Sequence, residues 1–218
     1  MQQLKIFIEL TRLNKPIGFM LLFWPCSWGL AYANSINQNT NLFIYYLVLF
    51  FLGSVLMRSA GCIFNDIADK NFDKKVKRTK SRPIASESVS VKQALFYVLI
   101  LCLLAFFILI QFNYLTILLG MGSMLFAFSY PFMKRITHWP QLFLGITFNW
   151  GAVMAWTAIT NTISGEIFVL YISAIFWTLG YDTIYSAQDM SEDEIIGLKS
   201  TSIKFKKNIK LFVLISYS

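Results

Sequence analysis

The sequence predicts an all-α membrane protein, a polytopic bundle of about six full transmembrane helices followed by the start of a seventh. Of the 218 residues, 56% are hydrophobic and only 14% are charged, whereas soluble domains carry about 25% charged residues. The mean hydropathy is +0.58. Together these values exclude a disordered chain, a disulfide-stabilised mini-domain and an ordinary soluble enzyme.

Three long segments are almost free of charge. Residues 17–57 and 93–133 contain no charged side chain, and residues 136–181 contain only Glu166. Because about 20 apolar residues cross a bilayer, each segment has room for two spans. Polar turns at 34–41, 111–113 and 160–166 divide the segments. We therefore predict helices over 17–33, 42–63, 94–112, 114–132, 141–159 and 167–185, with a seventh apolar stretch beginning near Ile209.

The basic residues lie on one side of this predicted bundle. They occupy the N-terminal segment, the loops after the second and fourth spans, and the tail after the sixth, whereas the three alternate turns contain none. The positive-inside rule places those segments, with the N-terminus, in the bacterial cytoplasm or the mitochondrial matrix. The net charge of +8 is then mainly a topology signal. It favours anionic lipid headgroups and does not call for nucleic acid.

Two groups of aspartates also fall on this side. The first acidic cluster is Asp66, Asp69 and Asp73; if the second helix continues through it, the three lie within about 60° of one another. The second acidic cluster is Asp182, Asp189 and Asp193, whose spacing on a helix predicts an arc of about 40°.

Like charges in helical register repel one another, so solvated helix ends or weak surface ion pairs explain these clusters poorly. Bound Mg²⁺ explains them better, because it takes carboxylate oxygens and often shares them with substrate phosphates. Arg78 and Arg82 follow the first cluster, and Lys199 follows the second. Such cations stabilise the charge that develops on a departing diphosphate.

One further basic residue, Arg58, lies near the end of the second span, two helical turns before Asn65 and on the same face. A charge within a membrane span is by default a candidate functional residue. The alternative is that Arg58 extends its side chain to the membrane interface.

Taken in order, these motifs resemble the UbiA family of intramembrane prenyltransferases, most closely its members that use 4-hydroxybenzoate. The similar segments are residues 12–18, 58–62, 65–73, 78–83, 130–135, 181–189 and 197–201. The resemblance implies a magnesium-dependent transfer of a polyprenyl group from polyprenyl diphosphate to 4-hydroxybenzoate. The new bond forms ortho to the hydroxyl, a membrane step of ubiquinone biosynthesis.

The resemblance also implies roles for individual residues. The implied Mg²⁺ ligands are Asn65, Asp66, Asp69, Asp73, Asp182, Asp189 and Asp193. The implied substrate contacts are Arg78, Arg82, Lys134, Arg135 and Lys199, with Arg135 and Arg58 as candidates to hold the acceptor carboxylate. Tyr130 is expected to face the allylic cation. Asp189 is expected to orient the phenol or accept the proton that the ring carbon loses, unless it is purely a metal ligand.

The chain departs from the family pattern in two respects. Glu192 stands where aspartate is more usual, and the family's roughly nine spans predict that C-terminal spans are missing from this single domain, residues 1–218. Three alternatives remain open: another aromatic acceptor, an inactive truncated remnant, and a small membrane transporter. Nearly uncharged mid-span regions argue against the transporter.

Overall fold

The computed structural model describes residues 2–218, with side chains from residue 3 onward. Over this range the chain contains ten helices and no β-strand. The helices are α1 (Gln2–Thr11), α2 (Ile17–Asn37), α3 (Thr40–Asp73), α4 (Val91–Leu109), α5 (Tyr114–Ile136), α6 (Pro140–Thr160), α7 (Gly165–Ser186), α8 (Met190–Ile195), α9 (Thr201–Lys204) and α10 (Ile209–Tyr217). The predicted all-α class is confirmed.

Polar residues determine where the long helices begin and end. The side chains of Asn39, Ser90 and Asn113 each accept a hydrogen bond from the backbone N–H three residues later and so cap α3, α4 and α5. Gln38 and Asn161 adopt the left-handed conformation after α2 and α6. Both arrangements pair backbone groups that a helix end leaves unsatisfied. The three turns predicted between paired spans are therefore confirmed.

Six long helices correspond to the six predicted spans. Five of them, α3 to α7, are long and apolar enough to cross a membrane. Within the described chain α2 is not in this group, because its 21 residues include Pro25 and several polar side chains, but it packs against both α6 and α3. Helix α3 continues beyond its predicted end through the first acidic cluster, and α10 begins at Ile209 as expected for the seventh apolar stretch.

The second acidic cluster does not lie on one continuous helix, so the prediction of a 40° arc is wrong. Helix α7 ends at Ser186, and residues 187–189 form a turn before α8. The N–H groups of Ala187 and Gln188 donate to carbonyls three residues earlier. This tighter hydrogen-bond pattern ends an α-helix and redirects the chain.

Small residues allow α2 to pack closely against α6. A Cβ on Gly29 would lie 2.3 Å from the carbonyl oxygen of Ala152, and one on Gly151 would lie 2.4 Å from Sγ of Cys26. Helices in membranes approach this closely only where side chains are small. By contrast, α5 packs extensively on α6 but only slightly on α3 and α4. This looser side of the bundle leaves room for a cavity.

The outer surface of the bundle is strongly apolar. Large exposed side chains cover the outward faces of α4 and α7, including Phe96, Phe107, Val169, Ile172 and Phe176. Such a continuous surface matches the hydrocarbon core of a bilayer, and the helices satisfy their own backbone hydrogen bonds. Together with the five spanning helices, this surface identifies an integral membrane protein.

Candidate active site

One large cavity of about 1490 Å³ extends between α2, α3, α4, α5, α6 and α7. Its mouth is charged and is lined by both acidic clusters together with Arg12, Arg78, Arg82, Lys134 and Lys199. Its inner part reaches the opposite end of the bundle, where Leu109, Phe112, Gly120 and Met154 line it. A cavity of this shape suits an amphiphile with an anionic head and a long apolar tail.

The first acidic cluster lies on the last two turns of α3, with all three side chains buried. The Arg12 guanidinium donates to Asp66 at 2.6 Å, and Arg82 donates to the same carboxylate at 3.1 Å. Arg82 also donates to Asp73 at 2.9 Å. A single guanidinium therefore bridges the two ends of the cluster and holds the loop after α3 against the helix.

The central aspartate of this cluster, Asp69, pairs with two consecutive basic residues of α5. Its carboxylate accepts hydrogen bonds from Lys134 and, at 3.4 Å, from Arg135. Arg135 lies behind Asp69 rather than in the cavity, with its guanidinium over the rings of Phe72 and Phe132 at 4.9 and 5.3 Å. The structure therefore places Arg135 as a support for Asp69, outside the cavity lining.

The second acidic cluster reaches the same mouth from the other side of the cavity. Asp189 accepts a bidentate hydrogen bond from Arg78, and this bonding raises the pKa of the Arg78 guanidinium. Burial, reinforced by the neighbouring Asp189 charge, raises the pKa of Asp193 above its usual range. Asp182 lines the cavity deeper, on the last turn of α7.

Below the mouth lies a smaller group of polar residues. Arg58 and Tyr130 line the cavity here, together with Tyr181 and Asn65. The Arg58 Nε and the Tyr181 hydroxyl are buried and have no hydrogen-bond partner within residues 2–218. Unpaired buried donors are costly, so they mark a place where a polar ligand group would be stabilised.

Lys199 lies at the edge of the cavity in the segment that joins α8 to α9. Its backbone N–H donates to the Lys134 carbonyl at 2.8 Å, and its ammonium donates to the Ile136 carbonyl at 3.1 Å. The next residue but one, Thr201, is held by Gln141, which accepts its N–H at 3.0 Å. These bonds dock the segment that carries Lys199 onto α5 and α6.

Arg12 was not among the predicted site residues, although its ion pair with Asp66 is part of the mouth. It belongs to the segment 12–18 that carried the family resemblance. Its left-handed backbone, with φ of 55°, turns the chain between α1 and α2. Arg12 and Asp66 are 54 positions apart, so only the folded chain brings them together.

The donor set at the mouth fits Mg²⁺ by its chemistry, since Asp side chains from α3 and from the end of α7 meet at one cavity and supply hard oxygen ligands. Within residues 2–218, no three His, Cys, Asp or Glu side chains are gathered into a ready-made metal cluster. The reason is visible in the contacts: Arg and Lys side chains pair with four of the aspartates. A cation would take over charge compensation that these side chains provide.

Comparison with known proteins agrees with this architecture. Residues 22–218 match the sequence model of the UbiA prenyltransferase family. The chain belongs to this family. It is 46% identical over 208 residues to the mitochondrial 4-hydroxybenzoate polyprenyltransferase of Caenorhabditis elegans, a match covering 95% of this chain and 58% of that protein. It is also 46% identical over 209 residues to the 4-hydroxybenzoate octaprenyltransferase of Vibrio atlanticus (strain LGP32), covering 96% and 72%.

The chain thus spans little more than half the length of its mitochondrial relative. Solved structures show the same fold. The apo structure of a UbiA homolog from Aeropyrum pernix K1 matches with a TM-score of 0.75 and 26% identity, covering 91% of this chain and 73% of that one. A UbiA homolog from Archaeoglobus fulgidus, solved with DMAPP and Mg²⁺, matches with a TM-score of 0.70 and 19% identity, covering 96% and 74%.

Proposed function

We propose that this UbiA family member transfers a polyprenyl group from polyprenyl diphosphate to 4-hydroxybenzoate, at the ring carbon ortho to the hydroxyl, as a membrane step of ubiquinone biosynthesis. The observation that carries the proposal is the single cavity that joins a mouth of aspartates and basic residues to an apolar interior. The two 4-hydroxybenzoate prenyltransferases at 46% identity support the choice of acceptor.

The mouth would hold the diphosphate. Asn65, Asp66, Asp69, Asp73, Asp182, Asp189 and Asp193 are the proposed Mg²⁺ ligands, and bound Mg²⁺ would neutralise the negative charge on the diphosphate as its bond to carbon breaks. Arg78, Arg82, Lys134 and Lys199 surround the same space. Their donors would hold the phosphate oxygens in place. The side chains now pairing with aspartates would turn to the diphosphate when it enters.

The apolar interior would hold the polyprenyl tail. Its lining side chains come from α3 to α6 and from the turn between α4 and α5, and include Phe50, Phe106, Leu109 and Phe112. These side chains bury the tail and keep water away from the allylic carbon. The hydrocarbon tail would lie away from the charged side chains at the mouth.

The aromatic acceptor would lie between the two. Arg58 is the proposed partner of its carboxylate, because it is the basic residue that lines the cavity below the mouth. Tyr130 lines the same region and would present its ring to the allylic cation. We assign Asp189, at the mouth, to orient the phenol or accept the proton that the ring carbon loses.

The reaction then has three parts. The allylic C–O bond breaks and its electron pair leaves with the diphosphate. The ring carbon ortho to the hydroxyl donates an electron pair to the allylic cation and forms the new C–C bond. The same ring carbon then loses its proton, which restores aromaticity. The chain's own contribution is to fix the two substrates in contact and to exclude water.

We also propose that the mouth faces the bacterial cytoplasm or the mitochondrial matrix. The basic residues lie in segments at the end of the bundle that carries both acidic clusters, and basic loops remain on that side of a membrane. Polyprenyl diphosphate would reach the cavity from the lipid bilayer. The two relatives fit both settings, one being mitochondrial and the other bacterial.

The test is transfer of radiolabelled 4-hydroxybenzoate into lipid by membranes that contain the chain, with polyprenyl diphosphate and Mg²⁺. Asp66→Ala and Asp189→Ala are expected to abolish transfer. Glu194→Ala is the matched control, because Glu194 is an exposed acid paired with Lys206 and lies outside the cavity lining. The 218-residue chain and a version extended by the C-terminal remainder of the Caenorhabditis elegans relative should be assayed in parallel.

Magnesium-dependent transfer that both cavity variants lose and the Glu194 control keeps would support the proposal. Transfer only by the extended version would support the site and show that the added segment is needed for activity. Silence in both versions, with the proteins present in the membrane, would contradict the substrate assignment.

A further inference from the structure

The guanidinium of Arg58 is held by packing rather than by hydrogen bonds. Its Nε is buried without a partner among the described residues, and its Cζ lies 5.1 Å from the ring centre of Phe148. Of its three nitrogens only Nε is buried and unpaired. The two terminal nitrogens are therefore accessible from the cavity that Arg58 lines.

The backbone of α2 at Gly18 also lies against this guanidinium. A Cβ on Gly18 would lie 3.0 Å from Nε, 3.6 Å from Nη2 and 3.8 Å from Cζ of Arg58. The position is nearer to both nitrogens than to the carbon between them, so it lies in front of the Nε–Nη2 edge. The α2 backbone thus closes this edge and leaves the terminal Nη1–Nη2 edge for a ligand.

This contact requires glycine because of its distance, not because of an unusual backbone angle. A methyl group 3.0 Å from Nε would be in unusually tight contact, so the guanidinium would have to move by a few tenths of an ångström. A carboxylate pairs best with a guanidinium when both hydrogen bonds are aligned, so such a displacement would weaken at least one of the two bonds.

We propose that Gly18 is a positioning residue for the carboxylate of the aromatic acceptor and acts through Arg58. The proposal rests on the proposed function and adds a residue from a different helix to the acceptor site. Gly18 and Phe148 together hold the guanidinium plane, and the side chain at position 18 sets how far the terminal nitrogens reach into the cavity. Because the side chain of glycine is a single hydrogen atom, the effect of Gly18 on Arg58 is entirely steric.

The test compares two acceptors of similar shape, 4-hydroxybenzoate, which has an anionic carboxylate, and 4-hydroxybenzamide, which has a neutral amide in its place. Gly18→Ala is expected to raise the KM for the acid several-fold, since a 1 Å misplacement can cost about a hundredfold and the displacement here is a few tenths of an ångström. The KM values for the amide and for polyprenyl diphosphate are expected to stay the same. Gly122→Ala is the matched control, because a Cβ at this helical glycine meets nothing within 4 Å and the residue lies outside the cavity lining.

A second variant and a double variant keep the test independent of folding. Phe148→Leu removes the other wall and should also raise the KM for the acid more than that for the amide. In an Arg58→Gln background, Gly18→Ala should have no further effect on the acid, because the group it positions is gone.

Equal rises for acid and amide in Gly18→Ala, or additive effects in the double variant, would overturn the inference while leaving the proposed function in place. If neither the 218-residue chain nor the extended version transfers the prenyl group, both the inference about Gly18 and the proposed function are overturned.

Discussion

Replacing Arg82 by Gln is expected to destabilise the protein, because this residue bridges two buried carboxylates. Its guanidinium lies 3.1 Å from Asp66 and 2.9 Å from Asp73, whose side chains are only 3% and 9% exposed. Removing one partner of a buried ion pair costs about 3–5 kcal/mol. Asp66 keeps Arg12 at 2.6 Å, whereas Asp73 loses its only ion-pair partner within residues 2–218.

The lower end of that range applies, about 3 kcal/mol, because Arg82 itself is 22% exposed. For a chain of this size such a loss lowers Tm by about 6–12 °C. Arg82→Lys should fall between Gln and the original residue, since an ammonium keeps the charge but lacks the fork that spans both carboxylates. Added Mg²⁺ should raise the Tm of Arg82→Gln more than that of the unmodified chain, because the cation would replace the missing charge.

The assay is thermal unfolding of detergent-solubilised protein, followed by tryptophan fluorescence with and without Mg²⁺. Lys74→Gln is the control: it removes an exposed ion pair with Glu87, of 2.7 Å, and should leave Tm unchanged. If Arg82→Gln melts at the same temperature as Lys74→Gln, the aspartates do not depend on Arg82 and the reasoning is refuted.

Three further predictions concern the membrane part of the bundle. Gly120→Val should shift the product towards shorter prenyl chains, because Gly120 lines the inner cavity and the added atoms would occupy part of it. The products formed from a set of polyprenyl diphosphates of different length are measured by mass spectrometry. An unchanged range of products would contradict the assignment of the inner cavity to the tail. Gly29→Ala should lower Tm, because its Cβ would lie 2.3 Å from a carbonyl oxygen of α6 and overpacking costs about 1–3 kcal/mol, whereas Gly122→Ala should not. Asn113→Ala should cost more stability than Asn39→Ala. Both lose an N-cap worth about 1 kcal/mol, but Asn113 also donates to two carbonyls of α6 at 2.7 and 3.2 Å; equal losses would show that these bonds contribute nothing.

The long helices could be predicted from the sequence because their signals are local. Each span needs its own apolar length, and capping residues such as Ser90 and Asn113 are adjacent to the helices they start. The bounds of α4, Val91–Leu109, still differ from the predicted 94–112. The N-cap is Ser90, so the helix includes Lys92, which the hydropathy pattern had placed outside the span. Helix α3 extends beyond the predicted residue 63 to Asp73. Its aspartates are paired with basic side chains, and a hydropathy pattern gives no information on such pairs.

The site was predicted in its residue types but not in its contacts. The periodicity of the first acidic cluster was sufficient because its three residues share one helix. The same argument failed for the second cluster, since its helical spacing continues across a turn that ends α7. Arg78 lies 111 positions from Asp189, with which it pairs, and no local pattern signals such a contact.

By itself, then, the sequence determined the class of the protein, the number of long helices, the concentration of its basic residues in alternate loops and the acidic and basic residue types that line the cavity mouth. Each of these depends on the chemistry of neighbouring residues. The tertiary structure decided which basic residue meets which aspartate, that Arg135 supports Asp69 from behind, and that Gly18 lies against Arg58. Such contacts join helices far apart in the chain, and their geometry is set by how closely the helix backbones pack.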